Sequence, residues 1–175
     1  MFHRVSLLPT TEQRAAIATE LGKEPKGMQQ ITAVDGQGHP LAVQVAALVD
    51  DKPFPTFYWL TSRFLVKELS HLEAAGLIKQ LEDRLQEDPQ LMAAYQRSHE
   101  DYVARRWAAM SDAMRQRIRE LGYESVFSQR GVGGIENWQQ VRCLHTQYAH
   151  HLSSGQGNAI GQLLDDEYGI AGLLP

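Results

Sequence analysis

The chain has 175 residues, of which 43% are hydrophobic and 22% are charged. This composition is typical of a soluble globular protein, and it argues against a disordered or fibrous one. The formal net charge of -4 and the pI near 6.0 argue against a protein that coats nucleic acid, because neutralising phosphates requires clustered lysine and arginine.

The single cysteine excludes both an internal disulfide and a four-cysteine zinc module. No apolar run reaches the roughly 18 residues that a membrane span requires, and the N-terminal apolar stretch is too short for a signal peptide. We therefore expect a cytoplasmic protein that does not enter the membrane.

The first third of the chain predicts one helix followed by strands. Thr10 lies three residues before Gln13, which is the capping-box spacing, and Gly22 is placed to end the helix. This predicts a helix from Thr11 to Leu21. Three later segments are rich in Val, Ile, Thr and aromatic residues and are separated by turn residues: QITAVD, LAVQVAALVD and TFYWLT. The simplest arrangement of these segments is a three-stranded antiparallel meander.

From Ser62 onward the apolar residues recur at helical spacing. The pattern predicts a helix ending at Gly76 and a second helix from Leu77 to Gln86. The remaining predictions are a long polar helix from Gln90 to Leu121, continuous or bent, a loop over GYESVFSQRGVGGIEN, a helix from about Asn137 to Leu152, and a short helix from Gly161 to Tyr168.

Together these elements predict an α+β fold in a single domain spanning residues 1–175. The first helix and a small three-stranded antiparallel meander occupy residues 1–61. They pack against a mostly helical C-terminal portion, residues 62–175. The sequence has no internal repeat and no low-complexity linker that would divide the chain.

The segment VRCLHTQYAHH, residues 141–151, holds the only cysteine and three of the seven histidines. If it is helical throughout, Cys143 and His150 share a face but lie roughly 10 Å apart along the axis, too far for a hydrogen bond. His145 would lie beside the buried stripe of this helix, which consists of Val141, Leu144, Tyr148 and Leu152. Cys143 and His150 are candidates for a nucleophile and an acid–base group. The simpler interpretation is a half-buried His145, a cysteine that fills space and a solvated His150.

A metal site is an alternative interpretation of the same segment. Cys143 and His145 can bind one ion only if the backbone there is not helical and a third ligand comes from elsewhere. His99 and Glu100 are the candidates for that third ligand.

The glycine-rich loop before the predicted helix indicates an anion site. Arg130, Gly133 and Gly134 precede a helix N-terminus, where free N–H groups and the helix dipole attract anions, and Arg142 and His145 follow. The loop matches neither a Walker A nor a dinucleotide-binding motif. This predicts a pocket for a small ligand that carries phosphate or carboxylate.

A binding module without catalysis is a further alternative. The aromatic segment Phe54–Trp59 or the long charged helix would then face a protein partner or a second copy of the chain. A base-stacking platform needs interleaved basic residues, and only Lys52 and Arg63 flank this segment, so nucleic acid is not expected.

Four segments in this order resemble one bacterial family: PTTEQRAAIATELGKEPKG, PFPTFYWLT, LEAAGLIKQLEDRLQEDPQLMAAYQRSHEDYVARR and VRCLHTQYAHHLSSGQGNAIG. The family is called domain of unknown function 501. The most specific resemblance lies in Cys143, His145, His150, Asn158 and Gly161. It implies a single-domain bacterial cytoplasmic protein with no established activity or cofactor, and it adds Asn158 to the candidate ligand-binding residues.

Overall fold

The computed structural model describes residues 1–155 and 157–175. The strands are β1 (Phe2–Leu7), β2 (Met28–Asp35), β3 (Pro40–Val45), β4 (Leu48–Val49), β5 (Lys52–Pro53) and β6 (Tyr58–Leu60). The helices are α1 (Thr11–Leu21), α2 (Arg63–Ala74), α3 (Leu77–Glu87), α4 (Pro89–Ala108), α5 (Asp112–Glu120), α6 (Glu124–Gln129), α7 (Leu144–Ser153) and α8 (Ala159–Tyr168). Short 3-10 turns cover Val132–Gly134 and Ile170–Leu173. The predicted α+β class is confirmed.

The main sheet has four antiparallel strands in the order β1-β2-β3-β6. Strands β2, β3 and β6 form the predicted meander, with Ile31 opposite Val43 and Ala42 opposite Leu60. The predicted second strand is shorter than expected, because the chain leaves the sheet after Val45 and forms the small β4–β5 hairpin. Strand β1 was not predicted. Its sequence FHRVSL has no clean alternation, and pairing with the edge of β2 holds it in place.

Several helix ends follow the expected chemistry. Thr10 and Gln13 form the capping box of α1, and Gly22 ends it with φ of 78°. The long predicted helix is divided into α4 and α5, because Ser111 leaves the helix and caps α5 through the N–H of Met114.

The prediction of a loop over GYESVFSQRGVGGIEN is wrong in its first half, where the chain forms helix α6. This helix is six residues long, too short to be stable by itself. It forms because Phe127 is fully buried against the neighbouring helices.

The predicted start of α7 at Asn137 is also wrong, since the helix begins at Leu144. Arg142 has a positive φ of 60°, and Cys143 is extended with φ -146° and ψ 117°. The N–H of Cys143 bonds to the carbonyl of Val141 at 2.7 Å. This local turn occupies the backbone that a longer helix would need.

Helix α7 lies at the centre of the largest hydrophobic core, where it packs against the sheet and against α2 and α8. The predicted buried stripe is confirmed, because Leu144, Tyr148 and Leu152 are all 0% exposed. The N-terminus of α7 therefore has a fixed position relative to β6 and α2. Within the described ranges, no helix is both long enough and apolar enough to cross a bilayer.

Candidate functional site

Cys143 and His145 meet at the N-terminus of α7. The Cys143 Sγ atom lies 3.7 Å from His145 Nδ1. The contact arises because Cys143 is extended and precedes the helix, whereas His145 belongs to its first turn. Non-helical backbone was the one arrangement in which the sequence allowed these two side chains to meet.

Glu73, near the end of α2, completes the cluster. Its Oε1 atom lies 3.1 Å from His145 Nδ1 and accepts the N–H of Leu144 at 2.8 Å. One potential metal-binding atom from each of Glu73, Cys143 and His145 lies within 4.8 Å of the other two. Glu73 was not a candidate in the sequence, because it is separated from His145 by 72 positions and follows an ordinary helical pattern.

The far side of the His145 ring is fixed by α2. Nε2 lies 3.1 Å from the carbonyl oxygen of Val66 and 3.2 Å from Ser70 Oγ. A carbonyl oxygen only accepts hydrogen bonds, so Nε2 carries a hydrogen and donates it. Nδ1 therefore faces both Cys143 Sγ and Glu73 Oε1.

The contacts shift the pKa values of both side chains. Burial raises the pKa of the Cys143 thiol, but the contact with His145 and the N–H of Thr146 outweigh it, so the pKa lies below its usual value. The contact with Cys143 raises the pKa of His145 to about 9, against the opposing effect of burial. The contact therefore favours the charged form of each group, the thiolate of Cys143 and the imidazolium of His145.

A cleft of about 500 Å³ opens beside this pair. Its apolar and aromatic lining consists of Leu21, Phe54, Tyr58, Trp59, Leu60 and Val66. The other lining residues are Thr56, Cys143, His145 and Thr146. The cleft thus has mostly apolar walls and a small polar region formed by the start of α7 and Thr56.

The sequence pattern of a known family, described as protein of unknown function (DUF501), matches residues 31–166. The chain belongs to this family. The match includes Glu73, Cys143 and His145, whereas Leu21 in the cleft wall lies outside it. Neither the curated proteins nor the solved structures gave a match.

The glycine-rich loop of this DUF501 chain has a packing role. Its N–H groups are engaged locally: that of Gly131 bonds to the Ile135 carbonyl, that of Gly134 to the Gly131 carbonyl, and that of Val132 to His99 Nδ1. A Cβ at Gly133 would lie 2.6 Å from Thr146 Oγ1. Gly133 therefore lets the loop approach α7 closely, and the three N–H groups are not available to an anion.

The two candidate arginines lie apart from the cleft lining. Arg130 forms an ion pair with Glu136 at 2.7 Å, and Arg142 is exposed. As far as the described residues go, neither lines the cleft beside Cys143. The structure thus brings His145 to that cleft without the arginines predicted to accompany it.

His150 occupies a separate buried network. It is 0% exposed, so the interpretation of a solvated side chain is wrong. Its Nε2 lies 2.8 Å from Asp101 Oδ2, and its Nδ1 accepts from the Asn158 amide at 3.1 Å. Its ring stacks on Tyr58 at 6.0 Å. Asn158 also caps α8, and in the described part of the chain no hydrogen bond joins His150 to Cys143.

The candidates for a third metal ligand lie elsewhere. His99 is fully buried, accepts the N–H of Val132 at 3.0 Å and stacks on Trp138. Glu100 is exposed. Glu73 is the residue that the structure brings to Cys143 and His145.

The aromatic segment is shared between the core and the cleft. Phe57 and Tyr58 are each 4% exposed, while Phe54 and Trp59 contact each other at 5.8 Å between ring centres and line the cleft. Trp59 remains 40% exposed. The outward-facing aromatic surface at this point is therefore a wall of the cleft.

Proposed function

We propose that the protein binds a small molecule in the cleft beside Cys143 and His145, with an apolar or aromatic body and a polar head group. The observation that carries the proposal is a cavity of about 500 Å³ with apolar walls and reactive side chains at one part of its surface. Ligand sites commonly combine a largely apolar lining with a few fixed polar groups.

The apolar body fits the aromatic wall. Phe54 and Trp59 present adjoining rings, and Leu60 and Val66 supply aliphatic surface. Covering the exposed part of Trp59 would remove apolar surface from water, which favours association.

The head group fits the start of α7. Thr146 and Thr56 carry hydroxyl groups in the lining, and the ring of His145 is fixed in one orientation by Val66 and Glu73. Such fixed polar groups orient a ligand at little entropic cost. The phosphate or carboxylate ligand expected from the sequence is thereby moved from the glycine-rich loop to this cleft.

Binding of the dye 8-anilinonaphthalene-1-sulfonate, measured by fluorescence titration, tests the proposal. The side chain introduced by Val66→Phe would occupy the cleft, and we expect at least about tenfold weaker binding. Phe64→Ala is the matched control. Phe64 lies on the same helix, is 42% exposed and lines a different cavity, so this variant should bind within about twofold of the wild type.

Two outcomes would count against the proposal that the cleft binds a ligand. One is dye affinity that Val66→Phe leaves unchanged while circular dichroism shows a folded protein. The other is loss of dye binding in Phe64→Ala.

We also propose that the protein acts in the bacterial cytoplasm, where its single thiol stays reduced.

A further inference from the structure

We infer that Glu73, Cys143 and His145 form a binding site for a divalent transition metal of the zinc type, with a coordination position left for the ligand of the cleft. The metal site itself is independent of the proposed function. Only the statement that the ligand of the cleft occupies the fourth coordination position rests on the proposed function.

Two of the three separations between these side chains are close to those expected around one shared ion, and the third is below 4.8 Å. Zinc binds thiolate sulfur at about 2.3 Å and imidazole nitrogen or carboxylate oxygen at about 2.0–2.2 Å. In a tetrahedral arrangement these lengths place sulfur and nitrogen about 3.6 Å apart, and nitrogen and oxygen about 3.3–3.6 Å apart. The observed separations are 3.7 Å between Sγ and Nδ1 and 3.1 Å between Nδ1 and Oε1.

The surrounding hydrogen bonds fix the orientation of His145 and Glu73 towards Cys143. A histidine ligand normally donates its second ring N–H to a carbonyl or carboxylate, which fixes the ring and its tautomer. His145 does this through Nε2 to the carbonyl of Val66. Glu73 is likewise oriented by the N–H of Leu144. The two elements that supply the ligands, α2 and the start of α7, are joined by these same bonds.

The donor set selects the metal class. One sulfur, one nitrogen and one oxygen donor suit zinc or a related transition ion, whereas magnesium and calcium require oxygen donors. A thiolate and a carboxylate together carry two negative charges, which one divalent ion neutralises. The composition also excludes a structural four-cysteine site, because Cys143 is the only cysteine.

Three protein ligands are typical of sites that keep one position for water or substrate. Cys143 and His145 both line the cleft. A bound dication would attract an anionic head group more strongly than the metal-free cluster does. The ligand class that follows is a small carboxylate or phosphate with an apolar or aromatic body.

Cobalt(II) is the probe for the metal site. We expect chelator-treated full-length protein to bind one equivalent and to develop the near-ultraviolet charge-transfer absorption of a thiolate bound to cobalt. Zinc should displace the cobalt and abolish this absorption. Elemental analysis after dialysis should then find one zinc ion per chain.

Two variants test the cysteine and the carboxylate ligand separately. Cys143→Ser should remove the charge-transfer absorption, and Glu73→Gln should weaken cobalt affinity by at least about tenfold. Gln at position 73 can still accept the N–H of Leu144, so the start of α7 is retained in this variant. The controls are His71→Asn and Glu68→Gln on the same helix, which should bind cobalt like the wild type.

Absence of both stoichiometric binding and the charge-transfer absorption would overturn the metal site, and so would iodoacetamide alkylation of Cys143 at the same rate with and without zinc. Dye binding that remains sensitive to Val66→Phe under those conditions would leave the cleft proposal standing. Conversely, normal cobalt binding with dye affinity insensitive to Val66→Phe would leave the metal site standing and contradict the cleft proposal.

Discussion

Arg106 shows how a single residue joins distant parts of the fold. It is 1% exposed and has no acidic partner in residues 1–155 and 157–175. Its guanidinium donates to the carbonyls of Pro55, Phe127 and Arg130 at 2.6–2.7 Å. Burial lowers the pKa of Arg106 to about 10, so the side chain remains a cation at neutral pH. The positive charge is therefore balanced by carbonyl dipoles and by the ring of Tyr102.

Arg106→Met should lower the free energy of unfolding by about 3–5 kcal/mol, because the carbonyl group of buried Phe127 and those of half-buried Pro55 and Arg130 lose their donor. Urea denaturation measures the change. Arg119→Met provides the comparison, since Arg119 is a largely exposed residue paired with Glu124 and should contribute less than about 1 kcal/mol. Equal losses in the two variants would contradict the structural role of Arg106.

His99 makes the free energy of unfolding sensitive to acid. Burial lowers its pKa from 6.5 to about 3, so the folded protein keeps it neutral while the unfolded chain binds a proton below pH 6.5. The stability that depends on neutral His99 is therefore complete above pH 6.5 and is lost as the pH falls from 6.5 towards about 3.

His99→Gln removes this titration while keeping an acceptor for the N–H of Val132. Between about pH 7.5 and about pH 5, we expect the wild type to lose about 1–2 kcal/mol more than the variant. Urea denaturation of both proteins at the two pH values measures this difference. Parallel losses would show that His99 titrates normally in the folded state.

At the scale of elements, the crossing of α7 and α8 depends on Gly161. A Cβ at this position would lie 2.2 Å from the Cβ of His151. Gly161→Ala gains about 1 kcal/mol of helix propensity. The overlap with α7 should cost about 1–3 kcal/mol, so we expect net destabilisation.

Thermal unfolding followed by circular dichroism measures this balance. Gly172→Ala is the control, because nothing lies within 4 Å of a Cβ there and its φ is not positive. A Gly161→Ala variant as stable as that control would show that the two helices separate without penalty.

The elements that were predicted correctly carry strong local signals. Capping and periodicity sufficed for α1, and the aromatic and β-branched pattern sufficed for β2, β3 and β6. Strand β1 and helix α6 depend on pairing and burial against distant residues, which a local pattern does not contain. The start of α7 was misplaced because the positive φ of Arg142 is not encoded by a glycine.

At the scale of the whole molecule, the sheet and several helices contribute to the same largest hydrophobic core. The largest buried cluster includes Leu41 and Leu60 from the sheet together with Leu65, Tyr102 and Tyr148 from three helices. The single-domain prediction therefore has a direct test. Far-ultraviolet circular dichroism and tryptophan fluorescence should report one coincident urea transition, and two separated transitions would contradict it.

Only part of the candidate site could be read from the sequence. The Cys143-Leu144-His145 motif identified two of its members, because the cysteine is unique and its neighbouring histidine is close by. The position of Glu73 beside His145 and the cleft itself both result from the packing of α2 and β6 against α7. A tertiary arrangement of this kind has no signature in residue spacing.

The carboxylate of Glu73 both contacts His145 and accepts the hydrogen bond of the Leu144 N–H. Any event that draws this carboxylate away must leave the first amide of α7 without its acceptor. The exchange of that amide hydrogen with solvent deuterium is thus coupled to events at the cysteine. A single backbone proton can therefore report in solution on the state of the whole cluster.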